Sequence, residues 1–252
     1  MKKLFSLLLI LTIWPVVAFS AEDLQAQADA AWAGREDPAQ AMLALNLFEK
    51  IAAQNSGDNN ARIRLAEAAY WVVEQDDYRQ KLSADDKAAL ADKGVKACRE
   101  ILQKDEDHLA ANYWLMWNMA ASTLNKGIFS GFAFKDSIVC TIMVSKADIN
   151  FQYGGVWRYW ARVIFEIPGL LGRFFHFTDD DTVWLYQRAI AVEPNYLRNR
   201  FWLAESYERM DKKELAKKEY EFCANLKDDA VPSAVPENRL YKQWAKERLE
   251  KM

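Results

Sequence analysis

The sequence predicts an all-α protein: helical hairpins repeated along the chain and stacked in a right-handed superhelix. Three observations carry this. Glycine and proline are scarce, nine and six in 252 residues, so little interrupts long helices. Apolar residues recur at spacings of three and four rather than two. The pairs Leu65-Ala66, Leu115-Met116, Trp160-Ala161 and Leu203-Ala204 return at intervals of 50, 45 and 43 residues, each pair inside an amphipathic stretch. At least nine helices and no sheet are expected.

The first element is a leader. Lys2 and Lys3 precede an apolar run over residues 4–17, and Ala18-Phe19-Ser20 offers small residues to a signal peptidase. The run is short for a spanning helix, which needs about 20 residues. Residues 1–20 therefore read as a secretory signal peptide cut after Ser20. No cysteine stands at the cut to accept a lipid. The expected product is exported, periplasmic and soluble. The chain carries a net charge of −3, and loss of the two leader lysines makes it more acidic, which disfavours nucleic acid as a partner.

Residues 21–226 read as the repeat domain. Its clearest copy spans 181–224. Tyr186, Ala189 and Pro194 end one hairpin. Leu203-Ala204 and Tyr207 then occupy slots 7, 8 and 11 of a first helix, Asp211 marks the turn, and Ala216, Tyr220 and Cys223 occupy slots 20, 24 and 27 of the second. These are the offsets of the tetratricopeptide repeat, in which small residues let the paired helices approach closely and the large ones line facing sides. Ala44, Phe48 and Ile51 repeat the second-helix spacing, as do Gly94, Cys98 and Ile101. Ala204 and Ala216 should be buried where helices touch. The intervals exceed the 34-residue unit, so insertions are expected: a polar loop over 75–86, a second over 126–134 and a third over 166–180. Residues 227–252 read as a linker holding Pro232 and Pro236, followed by a capping helix with Leu240, Tyr241, Trp244, Ala245 and Leu249 on one side.

The run Tyr153-Gly154-Gly155-Val156-Trp157-Arg158, then Ile167-Pro168-Gly169, then the repeat at 181–224, resembles the TatT family. These are exported tetratricopeptide proteins associated with tripartite ATP-independent periplasmic (TRAP) transporters. The resemblance implies a protein partner, the transporter's periplasmic solute-binding protein, and assembly into a homo-oligomer with a ligand-passing cavity. This chain departs from that pattern in lacking a lipidation cysteine and in the aromatic loop of Phe174, Phe175 and Phe177.

Catalytic constellations are missing from the sequence. His108 and His176 lie far apart and outside any metal-type spacing, and neither a nucleophile elbow nor a phosphate loop occurs. No enzymatic activity, cofactor or metal is expected. His108, after three acidic residues, reads as a helix cap. Asp179-Asp180-Asp181 reads as acid complementing a helix N-terminus. Cys98, Cys140 and Cys223 read as buried free thiols.

Projecting slots 2, 5, 9 and 12 of each first helix onto the inner face gives a candidate groove. The residues assigned to it are Tyr70, Tyr113, Trp117, Arg158, Arg162, Phe165, Arg198 and Phe201. Arginine forks suit a carboxylate and aromatic walls supply apolar area. A small organic-acid or apolar ligand is expected, or, alternatively, a peptide held by a general scaffold for cell-envelope assembly. Gly154-Gly155 is expected to leave backbone N–H groups open to an anion. The loop after Pro168-Gly169 is expected to cover one mouth of the groove. Replacing Arg158 is expected to weaken binding with little effect on the fold.

Overall fold

The computed structural model describes residues 21–55, 57–127, 132–167, 172 and 176–252, without the side chains of 21 and 132–134. The leader, the tip of the second insertion, and the aromatic loop expected over the groove mouth, apart from Gly172 and the stretch from His176, lie outside the described residues.

Among the described residues there are eleven α-helices and no strand. They are α1 (Ala21–Ala33), α2 (Pro38–Gln54), α3 (Asn59–Arg79), α4 (Ala84–Leu102), α5 (Leu109–Lys126), α6 (Phe132–Asp148), α7 (Phe151–Glu166), α8 (Asp179–Val192), α9 (Leu197–Arg209), α10 (Lys213–Asn225) and α11 (Val235–Leu249). Successive helices from α1 to α6 pack on one another, and α7 to α11 form a second run. Between α6 and α7 the packing is slight.

Local chemistry sets the helix starts. Asp37 accepts a hydrogen bond from the Ala39 N–H at 2.8 Å and Pro38 opens α2. Asp58 caps α3 and a Ser83–Asp86 capping box starts α4. His108 caps α5, its Nδ1 accepting from the Ala111 N–H at 3.3 Å. Thr178 and Asp181 form the capping box of α8, and Asp179 pairs with Arg209. The acidic run thus serves the helix end, as its sequence suggests.

The small-residue slots are where helices touch. Ala44, Ala66, Ala204 and Ala216 have no exposed surface. At Gly94 a Cβ would stand 2.4 Å from the Asn118 side chain, which donates to the carbonyls of Ala66 and Trp114. The slot therefore demands glycine, because α5 lies directly against α4.

Two expected loops are ordered. The first insertion is not a polar loop at its start: α3 runs on to Arg79, and Gln75 and Asp76 are buried. Gln75 finds the Arg35 carbonyl at 2.6 Å, and Asp76 accepts from the backbone N–H groups of Lys81 and Leu82, both at 3.0 Å. Polar side chains that reach backbone partners can be buried. Within 227–237, two 3-10 turns, Asp228–Ala230 and Pro232–Ala234, lead into α11, with Val231 and Ala234 buried.

The inner faces of the stack meet one another. Arg198 of α9 lies 3.0 Å from Glu74 of α3. Trp202 of α9 donates to the Tyr78 hydroxyl at 2.9 Å, and Tyr78 donates to Glu205 at 2.9 Å. Helix α11 joins them: Tyr241 bonds Glu74, and Trp244 stacks on Tyr78 at 4.1 Å. The array curves until its concave side has become its core.

Candidate functional site

Helix α7 contains a break. Gln152, Tyr153 and Gly154 have φ of 52°, 60° and 76°, so the chain turns left-handed before the helix resumes. That conformation is unfavourable for the two non-glycine residues, and Arg158 holds it. Its guanidinium donates to the Gln152 carbonyl at 3.1 Å and, at 3.4 Å, to that of Tyr153. It also donates to Asn199 Oδ1 at 2.8 Å and to the Tyr113 hydroxyl at 2.9 Å. Arg158 is 1 % exposed, and no ion-pair partner is found for it among the described residues. It clasps a turn to two neighbouring helices, so its replacement reaches the fold directly.

The adjacent glycines serve packing. A Cβ on Gly154 would stand 2.9 Å from the Ala189 Cα, and one on Gly155 would stand 2.4 Å from the Tyr113 ring. Both glycines are buried. The expectation of N–H groups open to an anion is corrected: the absent side chains make room for α8 and for Tyr113.

The other two arginines are also engaged. Arg198 and Glu74 form an ion pair with side chains 4 % and 3 % exposed. Burial pushes the Glu74 carboxyl up from its ordinary value, with Arg198 and the Tyr241 hydroxyl pulling the other way. Arg162 pairs with Glu166 at 2.7 Å and Glu205 at 3.2 Å, and sits over the rings of Phe165 and Trp202. Burial likewise raises the Glu205 carboxyl, against the pull of Arg162 and Arg248.

Around these arginines the aromatic rings interlock. Trp117 lies 4.9 Å from Tyr70 and 6.0 Å from Trp202. Phe201 lies 5.6 Å from Tyr78 and 5.3 Å from Tyr241. Of the eight residues projected onto a groove, Tyr70, Tyr113, Trp117, Arg158, Arg198 and Phe201 are buried. Arg162 and Phe165 stay partly exposed at the edge, beside Arg209. The structure brings the eight together along one inner side, but as packed interior rather than an open channel.

An open cleft lies at the seam where α2 and α3 face α11. Its volume is about 480 Å³. Pro38, Met42, Val72, Leu82, Tyr78 and Trp244 give it an apolar lining; Gln75, Asp76, Arg79, Lys81, Gln243 and Glu247 supply its polar groups. Sequence reasoning missed it, because α2, the end of α3 and α11 meet only when the stack closes. The sole sequence signal was the insertion at 75–86, which contains Arg79, Lys81 and Leu82. Among the described residues no three His, Cys, Asp or Glu side chains are grouped to hold a metal, and no helix is long and apolar enough to cross a membrane.

A sequence model of the family described as regulator of microtubule dynamics protein 1-3 matches residues 24–252. No curated protein matches the chain. Among solved structures, TTC0263, a thermophilic tetratricopeptide protein of Thermus thermophilus, superposes with a TM-score of 0.57 at 17 % identity, over 90 % of this chain and 99 % of that one. The likeness is one of fold. MamA, in a form described as AMB-1, superposes with a TM-score of 0.40 at 19 % identity, over 84 % of this chain and 93 % of its own, too distant to bear further.

Proposed function

Because the chain belongs to the regulator of microtubule dynamics protein 1-3 family and is built as a tetratricopeptide-like helical repeat, we propose that it is an exported, non-enzymatic docking scaffold that engages its partner at the seam cleft. The family's name describes those proteins' action on microtubules. Proteins of this fold generally bind other proteins.

The observation that carries the reading is the cleft itself, an apolar recess beside an inner face that is largely filled among the described residues. Tyr78 and Trp244 stack at 4.1 Å to form one wall. The Asp76 carboxylate fixes the turn that carries Lys81 and Leu82. Recesses of this kind take anchor side chains or small ligands. A peptide lying along the inner face would have to displace α11, which disfavours the general peptide-groove alternative. The finer reading is that the partner is the periplasmic solute-binding protein of a TRAP-type transporter. It is supported by the run from Tyr153 to Arg158 and by the apolar leader over residues 4–17.

Calorimetric titration with the purified solute-binding protein tests this. Binding to the wild type, lost in Met42→Arg while the melting midpoint holds, is the expected result. Equal affinity for both would move the docking surface off the cleft, and no binding to the wild type would remove the transport partner.

A further inference from the structure

We infer that the array opens at the seam about the junction of α6 and α7, and that the docking cleft exists only while the seam is closed. This rests on the reading of the cleft as the docking site and names what regulates it. The walls of the cleft come from both runs of helices: Met42, Val72 and Tyr78 from α2 and α3, Trp244 and Glu247 from α11. Between the two runs the helices themselves come close along little more than α6 and α7. At the seam, long side chains make the connection. Arg35 meets Glu237 at 2.6 Å, Arg239 meets Glu36 at 3.1 Å, Arg198 meets Glu74 at 3.0 Å, and Trp202 donates to Tyr78 at 2.9 Å. The first two pairs cross. Arg35-Glu36, in the turn after α1, faces Glu237 and Arg239 of α11, each cation on an acid. That is a latch of complementary charge rather than a packed helix interface.

The junction has the form of a hinge. Asp148 ends α6 and Phe151 begins α7, and the left-handed run Gln152–Gly154 follows at once. Hinges are short segments at element ends that absorb changes in φ and ψ. Here the turn is kept by the Arg158 guanidinium on the carbonyls of Gln152 and Tyr153. The interior, meanwhile, makes closure costly. Arg158 Nε, Trp117 Nε1 and the Tyr186 hydroxyl are buried with no hydrogen-bond partner among the described residues. Arg198 and Glu74 are desolvated together. Groups of this kind cost stability when buried and regain water when exposed, whereas the interlocked aromatic rings favour burial. The two effects oppose each other, which narrows the gap between closed and open arrays to one that a latch can tip.

Nitroxide labels on Leu43→Cys and Lys246→Cys, exposed positions of α2 and α11, read the seam in the full chain by pulsed dipolar spectroscopy; Cys98, Cys140 and Cys223 are buried and stay unlabelled. The parent seam should give one dominant short separation. Glu237→Gln, and Arg239→Glu, which sets an acid against Glu36, should each add a longer separation and raise its share about threefold or more. Arg239 is half exposed, so its variant carries the test should Glu237→Gln fail to fold. Calorimetry on the unlabelled proteins gives the second reading. Affinity for the solute-binding protein should fall in proportion to the closed fraction, although neither position lines the cleft. A single short separation in both variants would overturn the opening. Undiminished affinity where the longer separation is populated would overturn its control of docking. Partner binding with a seam that never opens removes this inference and leaves the docking reading; an opening seam with no partner binding to the wild type gives the reverse.

Discussion

Arg35 and Glu237, 202 residues apart, meet through two hydrogen bonds: Nη2 to Oε2 at 2.6 Å and Nε to Oε1 at 3.2 Å. The pair ties the turn after α1 to the start of α11, with side chains 8 % and 12 % exposed. Arg35 is further held by the Trp32 carbonyl at 2.9 Å and lies over the Trp32 ring, while its own carbonyl receives the Trp71 and Gln75 side chains. Removing one partner from a buried pair leaves a charge uncompensated. Glu237→Gln should therefore lower the unfolding free energy by about 3 kcal/mol or more, and hydrogen exchange should rise first along α11. An unchanged denaturation midpoint would mean that the two ends of the array are closed by apolar packing alone.

Gly155→Ala tests the α7 break. In an open helix the change would stabilise by about 1 kcal/mol. Here the new Cβ would fall 2.4 Å from Tyr113, which is fully buried and receives the Arg158 guanidinium. Tyr113 must shift and the clasp on the Gln152–Gly154 turn loosens. A loss of about 1–3 kcal/mol is expected in urea unfolding. A gain in stability would show that Tyr113 moves freely.

Glu74 gives the fold a pH signature. Burial raises its carboxyl in the folded protein above the ordinary 4.5, against the pull of Arg198 and Tyr241. Between 4.5 and the raised value the folded chain holds the proton more tightly than the unfolded chain does. This contribution to stability is thus fully present below the ordinary value and is lost as pH rises through the folded one. Glutamine mimics the protonated form, so wild type should lose stability relative to Glu74→Gln as pH rises across that window. Parallel pH profiles for the two proteins would place the carboxyl at its unfolded value.

The thiols should be silent in the native state. Cys98, Cys140 and Cys223 are free and buried. Burial pushes Cys140 up to about 11 and raises Cys98 and Cys223 further, so little thiolate forms near neutrality. A thiol reagent should react with all three only after unfolding. Rapid labelling of any one in the folded protein would contradict its placement.

What could be read from the chain was local or periodic. Ala204, Ala216, Tyr220 and Cys223 fell in their slots because helical periodicity dictates which residues face a paired helix. His108 and Asp181 could be assigned to helix ends because a cap acts within three or four residues of itself. The end of α3 could not be read this way: Gln75 and Asp76 look like loop residues until the Arg35 carbonyl and the turn at Lys81 give them partners.

Helical class, hairpin register, caps and the set of residues sharing the inner side were all written in the chain's pattern, since each depends on spacings within a helix or on the recurrence of the same slots from one helix to the next. What that inner side becomes was settled by tertiary packing. Curvature accumulates over the whole stack, and here it brings Glu74 to Arg198 and Tyr78 to Trp202 and Trp244. A slightly more open superhelix with the same register would have left the three arginines and their aromatic neighbours facing a groove. Closure buries Arg158 and Arg198 with their aromatic neighbours, leaves Arg162 partly exposed at the edge, and opens a recess at the seam, where Met42, Arg79, Lys81 and Trp244 come together from segments that no local pattern relates.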